Sequence, residues 1–153
     1  MYPTISANQI ESLDKYGNHN AVAVAQILSE LTREVVSPKV TAGATGVTVT
    51  ENFFVVPAKG LIEKATFIMD TVQTGSGNTP TVSLFNLTKN ETIAVTGEIA
   101  LSGTIGDKHT LVLDAAKVDV NEGDVLQVKV INPSATITVA LAGKVQVAWH
   151  SVN

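Results

Sequence analysis

Histidine and serine are the first residues to consider for catalysis in this chain. His19, His109 and His150 stand far apart, and no two are separated by two or four residues, the spacings that let one strand or helix hold a metal. Ser76 lies in Gly75-Ser76-Gly77, which lacks the G-x-S-x-G spacing of a nucleophile elbow and precedes no helical pattern. Each histidine is therefore expected to be a surface or packing residue.

A cluster of side-chain oxygens is the best candidate for a metal site. Calcium takes oxygen ligands of this kind, but the spacing does not match the EF-hand loop. The same Asn-Glu-Gly-Asp run is also the composition of a tight β-turn, and we favour the turn. Cation binding remains the open alternative. The cluster consists of Asp119, Asn121, Glu122 and Asp124.

No other motif points to an enzyme. Phosphate-binding glycine loops of the P-loop and dinucleotide types are absent from the sequence. A lyase or hydrolase would need an acid-base pair, and none can be named. The sequence therefore predicts a protein that is not an enzyme, with no catalytic residues, no metal ligands and no cofactor.

Composition restricts the fold and the partners. The chain has 153 residues, enough for one domain and an appendage, and 44% of them are hydrophobic but only 5% aromatic. A net charge of −4 opposes binding to a nucleic-acid backbone, and a basic membrane-binding patch is missing. Neither a signal peptide nor an apolar run of membrane-spanning length is evident, so we expect no membrane partner and no export by a signal peptide.

Alternation of apolar and polar residues predicts β-strands. It is clearest in residues 126–130, 137–141 and 145–149, where a period of two places one set of side chains on each face. Further strands are expected at residues 47–56, 61–72, 81–85, 92–98 and 111–113, with a loop at residues 74–80. The predicted fold is all-β, an antiparallel, jelly-roll-like β-sandwich over residues 47–153.

The N-terminal region, residues 1–46, has a different pattern. Residues 1–17 read as a polar arm, residues 20–36 as an amphipathic helix with Asn20 as N-cap, and residues 41–46 as a linker. The helix is expected either to lie against its own sandwich or to join a symmetric bundle. Its apolar stripe contains Ala21, Val24, Leu28, Leu31 and Val35.

The aromatic residues of the predicted sandwich mostly fit inward positions by alternation. They are Phe53, Phe54, Phe67, Phe85 and Trp149, which leaves Tyr2 and Tyr16 in the arm. Sugar binding on a sandwich usually uses exposed aromatic rings, and no exposed row is predicted. Polar loops still leave carbohydrate binding open.

Three segments of the sequence carry a resemblance to a known class of proteins. They are GLIEKATFIMDT at residues 60–71, TVSL at residues 81–84 after a Gly/Ser/Asn loop, and VDVNEGDVL at residues 118–126. In this order they resemble the small β-sandwich virion proteins of tailed bacteriophages, especially capsid decoration (cement) proteins and head-fibre modules. The resemblance covers about residues 47–150. It implies trimers on local three-fold or quasi-three-fold axes of a capsid, with an N-terminal segment that reaches onto the coat.

The leading hypothesis is therefore a capsid decoration protein, made in the host cytoplasm and located on the outer surface of the virion. It would bind the major capsid protein as a homotrimer and stabilise the shell. The arm is expected to contact the coat through Ile5, Ile10, Leu13 and Tyr16. The helix is expected to line the trimer axis, or to pack within the chain, through Val24, Leu28, Leu31 and Val35. The alternative is a tail or head-fibre adhesin domain that binds a host-surface glycan.

Overall fold

The structure, a computed structural model, describes residues 32–77, 79–96, 99, 103–132 and 135–152, and all regular structure in these residues is β-strand. There are twelve strands in the described residues. They are β1 (Arg33–Val36), β2 (Val40–Thr41), β3 (Thr48–Val55), β4 (Gly60–Thr71), β5 (Thr74–Gly77), β6 (Thr81–Asn86), β7 (Glu91–Val95), β8 (Lys108–Leu113), β9 (Asp119–Val120), β10 (Val125–Ile131), β11 (Ala135–Val139) and β12 (Ala142–Ser151).

Eight of these strands pair in a nested order. β1 pairs with β12, β3 with β10, β4 with β8 and β6 with β7, all antiparallel. The strand order gives a β12 sheet (β1-β12-β4-β8) and a β10 sheet (β3-β10-β6-β7), joined where β7 pairs with the end of β8. Nested pairing of this kind is the arrangement of a jelly roll. The prediction of an all-β, antiparallel, jelly-roll-like sandwich is confirmed.

The core lies between the two sheets. β12 contributes Val145, Val147 and Trp149, and β10 contributes the buried alternate residues Leu126, Val128 and Val130. Removing an aliphatic side chain of this size from water stabilises a fold by about 1.5–3 kcal/mol. The apolar residues of the alternating pattern that predicts β10 and β12 are therefore the residues that face the core.

The connections separate into two ends of the sandwich. The described residues of four connections, within 37–47, 72–80, 96–107 and 132–141, lie at one end, which we call the long-loop end. Residues 56–59, 87–90 and 114–124 lie at the opposite end, which we call the turn end; the bond from Leu87 N to Val125 O and the pairing of β9 with β4 join them there.

The predicted loop at residues 74–80 is wrong in its first half. Residues 74–77 form β5, which pairs with β11 as a separate two-stranded ribbon at the long-loop end. Glycine and serine in this segment are typical of loops, and the strand exists because β11 supplies hydrogen-bonding partners from a distant part of the chain.

The predicted helix is wrong over residues 33–36, which form β1 at the edge of the β12 sheet. Val35 lies opposite Val147 on β12. β-Branched residues such as Val35 and Val36 suit a pleated strand, and pairing with β12 therefore makes this end of the segment extended instead of helical. Residues 20–31 of the predicted helix, with Ala21, Val24, Leu28 and Leu31, lie outside the described residues. The described part of the N-terminal region also forms β2, whose second residue, Thr41, is the first residue of the predicted linker, and β2 pairs with the start of β12.

We predict that Gly143→Ala destabilises the fold by about 2–3 kcal/mol, as overpacking does when the backbone itself must move. Gly143 is at a register shift between β12 and β4, and a methyl group there would collide with the Ile68 carbonyl oxygen and the Phe67 ring. Urea unfolding measures the loss.

Gly46→Ala is the matched control. Gly46 has φ +77° and open space around it, so this change carries only the conformational cost of about 1 kcal/mol. Equal losses for the two variants would contradict the close approach of β12 to β4.

Candidate functional site

The acidic turn predicted from the sequence forms a buried polar cluster at the turn end. The Asp124 side chain accepts hydrogen bonds from Asn86 Nδ2 at 2.8 Å and from the Asn121 backbone N–H at 2.9 Å. Lys89 Nζ lies 3.7 Å from the same carboxylate. Asp124 is 3% exposed, so these donors provide the compensation that a buried carboxylate requires.

Backbone hydrogen bonds connect the same cluster to the strand ends. Val56 N–H donates to the Asp124 carbonyl, and Gly123 N–H donates to the Val56 carbonyl. Asp124 N–H donates to the Asn121 carbonyl, which confirms the predicted turn, and Gly123 occupies its left-handed position at φ +85°. The cluster therefore fastens three connections to one another.

This geometry favours the conformational role of the turn over cation binding. Lys89 Nζ occupies the space beside Asp124 and also donates to the Asp119 carbonyl at 2.6 Å, so a cation would compete with an ammonium group. Glu122 and the Asp119 side chain face solvent. In the part of the chain that the structure describes, no three His, Cys, Asp or Glu side chains are placed to share a metal.

Sequence reasoning missed Asn86 and Lys89 as partners of this turn. They lie about 35 residues before it in the chain, in the β6–β7 hairpin. Asn86 also accepts from Lys89 N–H, a local turn bond that a sequence can suggest. The contact with Asp124 depends on the pairing of β6 with β10.

One exposed ion pair lies in the connection leading to this turn. Lys117 Nζ is 2.8 Å from Asp114 Oδ2. The hydrogen bond from Lys117, together with that from Ala116 N–H, lowers the pKa of Asp114, and the same pair raises the pKa of Lys117. Because the pKa of Asp114 is lowered in the folded chain, the ion pair stabilises the fold at pH values above the ordinary carboxyl pKa, and this stabilisation is lost as the pH falls through the lowered pKa. The contribution is small because solvent screens an exposed pair.

The two histidines of the described residues each lie beside another side chain of the fold. His150 Nδ1 lies 2.9 Å from Glu63 Oε1, and Glu63 Oε2 accepts a hydrogen bond from Thr32. His109 is on β8, where a loop edge was expected, and its ring centroid is 6.5 Å from that of Phe67. β4 separates β8 from β12, so the two histidines do not form one site. His19 lies outside the described residues.

Four of the five aromatic side chains point as predicted. Phe67 and Trp149 are buried in the core, and Phe53 and Phe54 pack against it. The ring centroids of Phe54 and Trp149 are 5.6 Å apart. These rings support the sandwich and leave no exposed aromatic row from this group.

Phe85 is the exception, and its predicted inward position is wrong. It lies opposite Gln127, on the outer face of the β10 sheet, and it is not part of the core. It is nevertheless only 8% exposed, and the Lys129 ammonium stands over its ring. Val82 and Leu84 take the inward positions of β6, and the nearly continuous apolar run hid this alternation.

Two rows of side chains surround Phe85 on the outer face of the β10 sheet. Gln127 and Lys129 alternate with inward core residues, so the residues paired with them lie on the same outer face. The rows are Asn52-Gln127-Phe85-Thr92 and Thr50-Lys129-Ser83-Val95. Gln127 Nε2 donates to Asn52 Oδ1 at 2.8 Å. Neither row contains a carboxylate.

The outer face of the β12 sheet carries a shallow depression with charged walls. Gln146 Nε2 donates to Glu34 Oε2 at 2.8 Å on one side, and Lys64 and Thr66 line the other. Its volume is about 40 Å³, room for about one water molecule. Small-molecule sites usually enclose about 300–1,000 Å³, so this depression is too small for one.

Most of the predicted contact residues lie outside the described residues. They are Ile5, Ile10, Leu13 and Tyr16 of the arm, and Val24, Leu28 and Leu31 of the helix. Val35, the fourth helix position, is half-buried on β1. The described chain contains no helix with the length and hydropathy of a membrane span.

Comparison with solved structures finds a chain with a similar fold. The chain is similar to a chain of the cyanophage Pam1 capsid asymmetric unit, with a TM-score of 0.57 and 10% sequence identity. The similarity covers 79% of this chain and 85% of the other. At this identity the likeness shows the fold. No family model matches the sequence, and no curated protein matches it significantly.

We predict that Asp124→Asn lowers the free energy of unfolding by about 1–2 kcal/mol. Asn86 Nδ2 and the Asn121 N–H donate to the same oxygen, Oδ2, so an amide oxygen in that position keeps both hydrogen bonds but loses the negative charge that strengthens them and attracts Lys89. Urea unfolding monitored by Trp149 fluorescence measures the change.

Asp119→Asn removes the same charge from an exposed position in the same turn. It is expected to change stability by less than about 0.5 kcal/mol, since Lys89 contacts only the backbone oxygen of Asp119. If both variants behaved alike, the buried cluster would not be what holds the turn end together.

Proposed function

We propose that the protein is a structural component of a virion, a non-enzymatic chain of a phage capsid. The fold match to a chain of the cyanophage Pam1 capsid asymmetric unit carries this proposal. The likeness covers 79% of this chain and 85% of the other, so it concerns most of the fold of both chains rather than a small part. The resemblance of residues 60–71 and 118–126 to phage virion proteins supports the same class.

The finer proposal is a decoration protein on the outer surface of the capsid. Residues 1–17 would bind the major capsid protein, and a homotrimer would present three such arms to a surface of matching symmetry. Linked contacts of this kind can raise overall binding by about 10²–10⁴-fold over one arm when the geometry permits. The protein would hold neighbouring coat subunits together against outward pressure.

The described body suits a role without chemistry. Asp124, the most buried member of the acidic turn, is engaged in fastening the turn end. His150 contacts Glu63 on the outer face of the β12 sheet, away from the core. These side chains contact other parts of the fold, whereas in an enzyme they would have to be available to a substrate.

The second candidate function is an adhesin domain that binds a host-surface glycan. The position of Phe85 on the outer face of the β10 sheet favours it, because an aromatic ring there can stack against a sugar once Lys129 has moved off the ring.

Deletion of residues 1–17 tests the capsid assignment. We expect the shortened protein to fold and keep its oligomeric state but to lose attachment to particles assembled without it. Co-sedimentation with such particles measures attachment, and the full chain is the positive control. Unchanged attachment would exclude the arm as the coat contact, and failure of the full chain to attach would exclude the decoration role.

The trimer has its own test. Native mass spectrometry or sedimentation of the purified full chain is expected to give three times the 16.0 kDa mass of one chain. A monomer at all micromolar concentrations would rule out a preformed trimer, and particle reconstruction would then show how single copies bind.

A further inference from the structure

The outer face of the β10 sheet carries a polar patch around one aromatic ring. We infer that Phe85, Lys129, Gln127 and Asn52 form a saccharide-binding platform, in which a pyranose stacks on Phe85 and its hydroxyl groups bind the amides. This deepens the adhesin candidate and does not depend on attachment to a capsid. We call these four residues the Phe85 platform.

Phe85 is covered by a group that can move. The Lys129 ammonium lies over the ring in a cation–π contact, and no ion pair or hydrogen bond holds its amine among the described residues. Phe85 is 8% exposed and Lys129 is half-buried, so the ring is free for a ligand only after the lysine has moved. A cation–π contact is weak enough for a sugar to displace the lysine from the ring, after which the ammonium remains close enough to donate hydrogen bonds to the ligand.

The amide pair beside the ring matches the hydrogen-bonding pattern of sugar hydroxyls. Gln127 Nε2 donates to Asn52 Oδ1, which fixes the two amides side by side. Gln127 Oε1 and Asn52 Nδ2 make no hydrogen bond to the described protein, so one acceptor and one donor are left over. Two neighbouring hydroxyl groups of a sugar can donate to the first and accept from the second.

The spacing of the strands suits a single sugar ring. Asn52, Gln127 and Phe85 occupy one row on three neighbouring strands, and adjacent strands lie about 4.7–4.9 Å apart. A pyranose stacked on Phe85 therefore reaches Gln127 on the next strand. Thr92 and Ser83 supply further hydroxyl groups around the ring.

The charges of the platform favour a neutral or acidic saccharide. No carboxylate stands in the two rows, and Lys129 is their one charged residue. A long polyanion such as a nucleic acid would extend beyond the platform onto a chain with a net charge of −4. A short saccharide avoids that repulsion and uses both the ring and the amides.

An array of immobilised bacterial-surface oligosaccharides, neutral and acidic, tests the inference with the purified full chain. We expect selective binding to at least one sugar, and at least tenfold weaker binding for Phe85→Leu, which keeps an apolar side chain but removes the flat ring. Gln127→Ala is expected to weaken binding similarly. Gln146→Ala removes a hydrogen-bonded amide from the outer face of the β12 sheet and should bind as the unchanged protein does.

Thermal unfolding of each variant separates loss of binding from loss of fold. If Phe85→Leu does not fold, Gln127→Ala and Lys129→Met decide the question, because neither residue belongs to the hydrophobic core. No binding to any sugar, or equal binding by the unchanged protein and the platform variants, would overturn the inference. Loss of particle attachment without sugar binding would assign this face to a protein partner instead and would also overturn it.

Discussion

The pairing of β12 with β4 is the constraint on which the rest of the sandwich depends. Ten residue pairs join the two strands, from Ala142 opposite Thr71 to Ser151 opposite Gly60. This ladder places Trp149 and its inward neighbours over the opposite sheet, and it requires glycine at positions 60 and 143, where β12 meets β4 and an adjacent aromatic ring most closely. β1 and β8 can join the β12 sheet only because this central pair exists.

The two ends of the sandwich are held in different ways. At the turn end, the buried Asp124 bonds to Asn86 and to its own turn through its side chain, and its carbonyl oxygen accepts a hydrogen bond from Val56 N–H, so this one residue connects the three turns of that end. At the long-loop end, extended connections form their own β5–β11 ribbon. A rigid rim opposite a larger, loop-built end is the usual way in which a β-sandwich separates stability from variable contacts.

The two outer faces also differ, and this difference bears on function. The β12 sheet exposes charged residues such as Lys64 and Lys144, whereas the rows around Phe85 on the β10 sheet carry Lys129 as their single charge. The two sheets therefore offer outer surfaces of different charge to a partner.

The sequence by itself determined most strands of the sandwich, although not β1, and the turn at Asn121, because strand periodicity and turn chemistry are local properties of neighbouring residues. Only the tertiary structure decided the place of Val35 in a strand, the β5–β11 ribbon, the outward position of Phe85 and the partners of Asp124. Each of these depends on hydrogen bonds or contacts between residues far apart in the chain, and two adjacent apolar residues such as Leu84 and Phe85 do not show which of them faces the core.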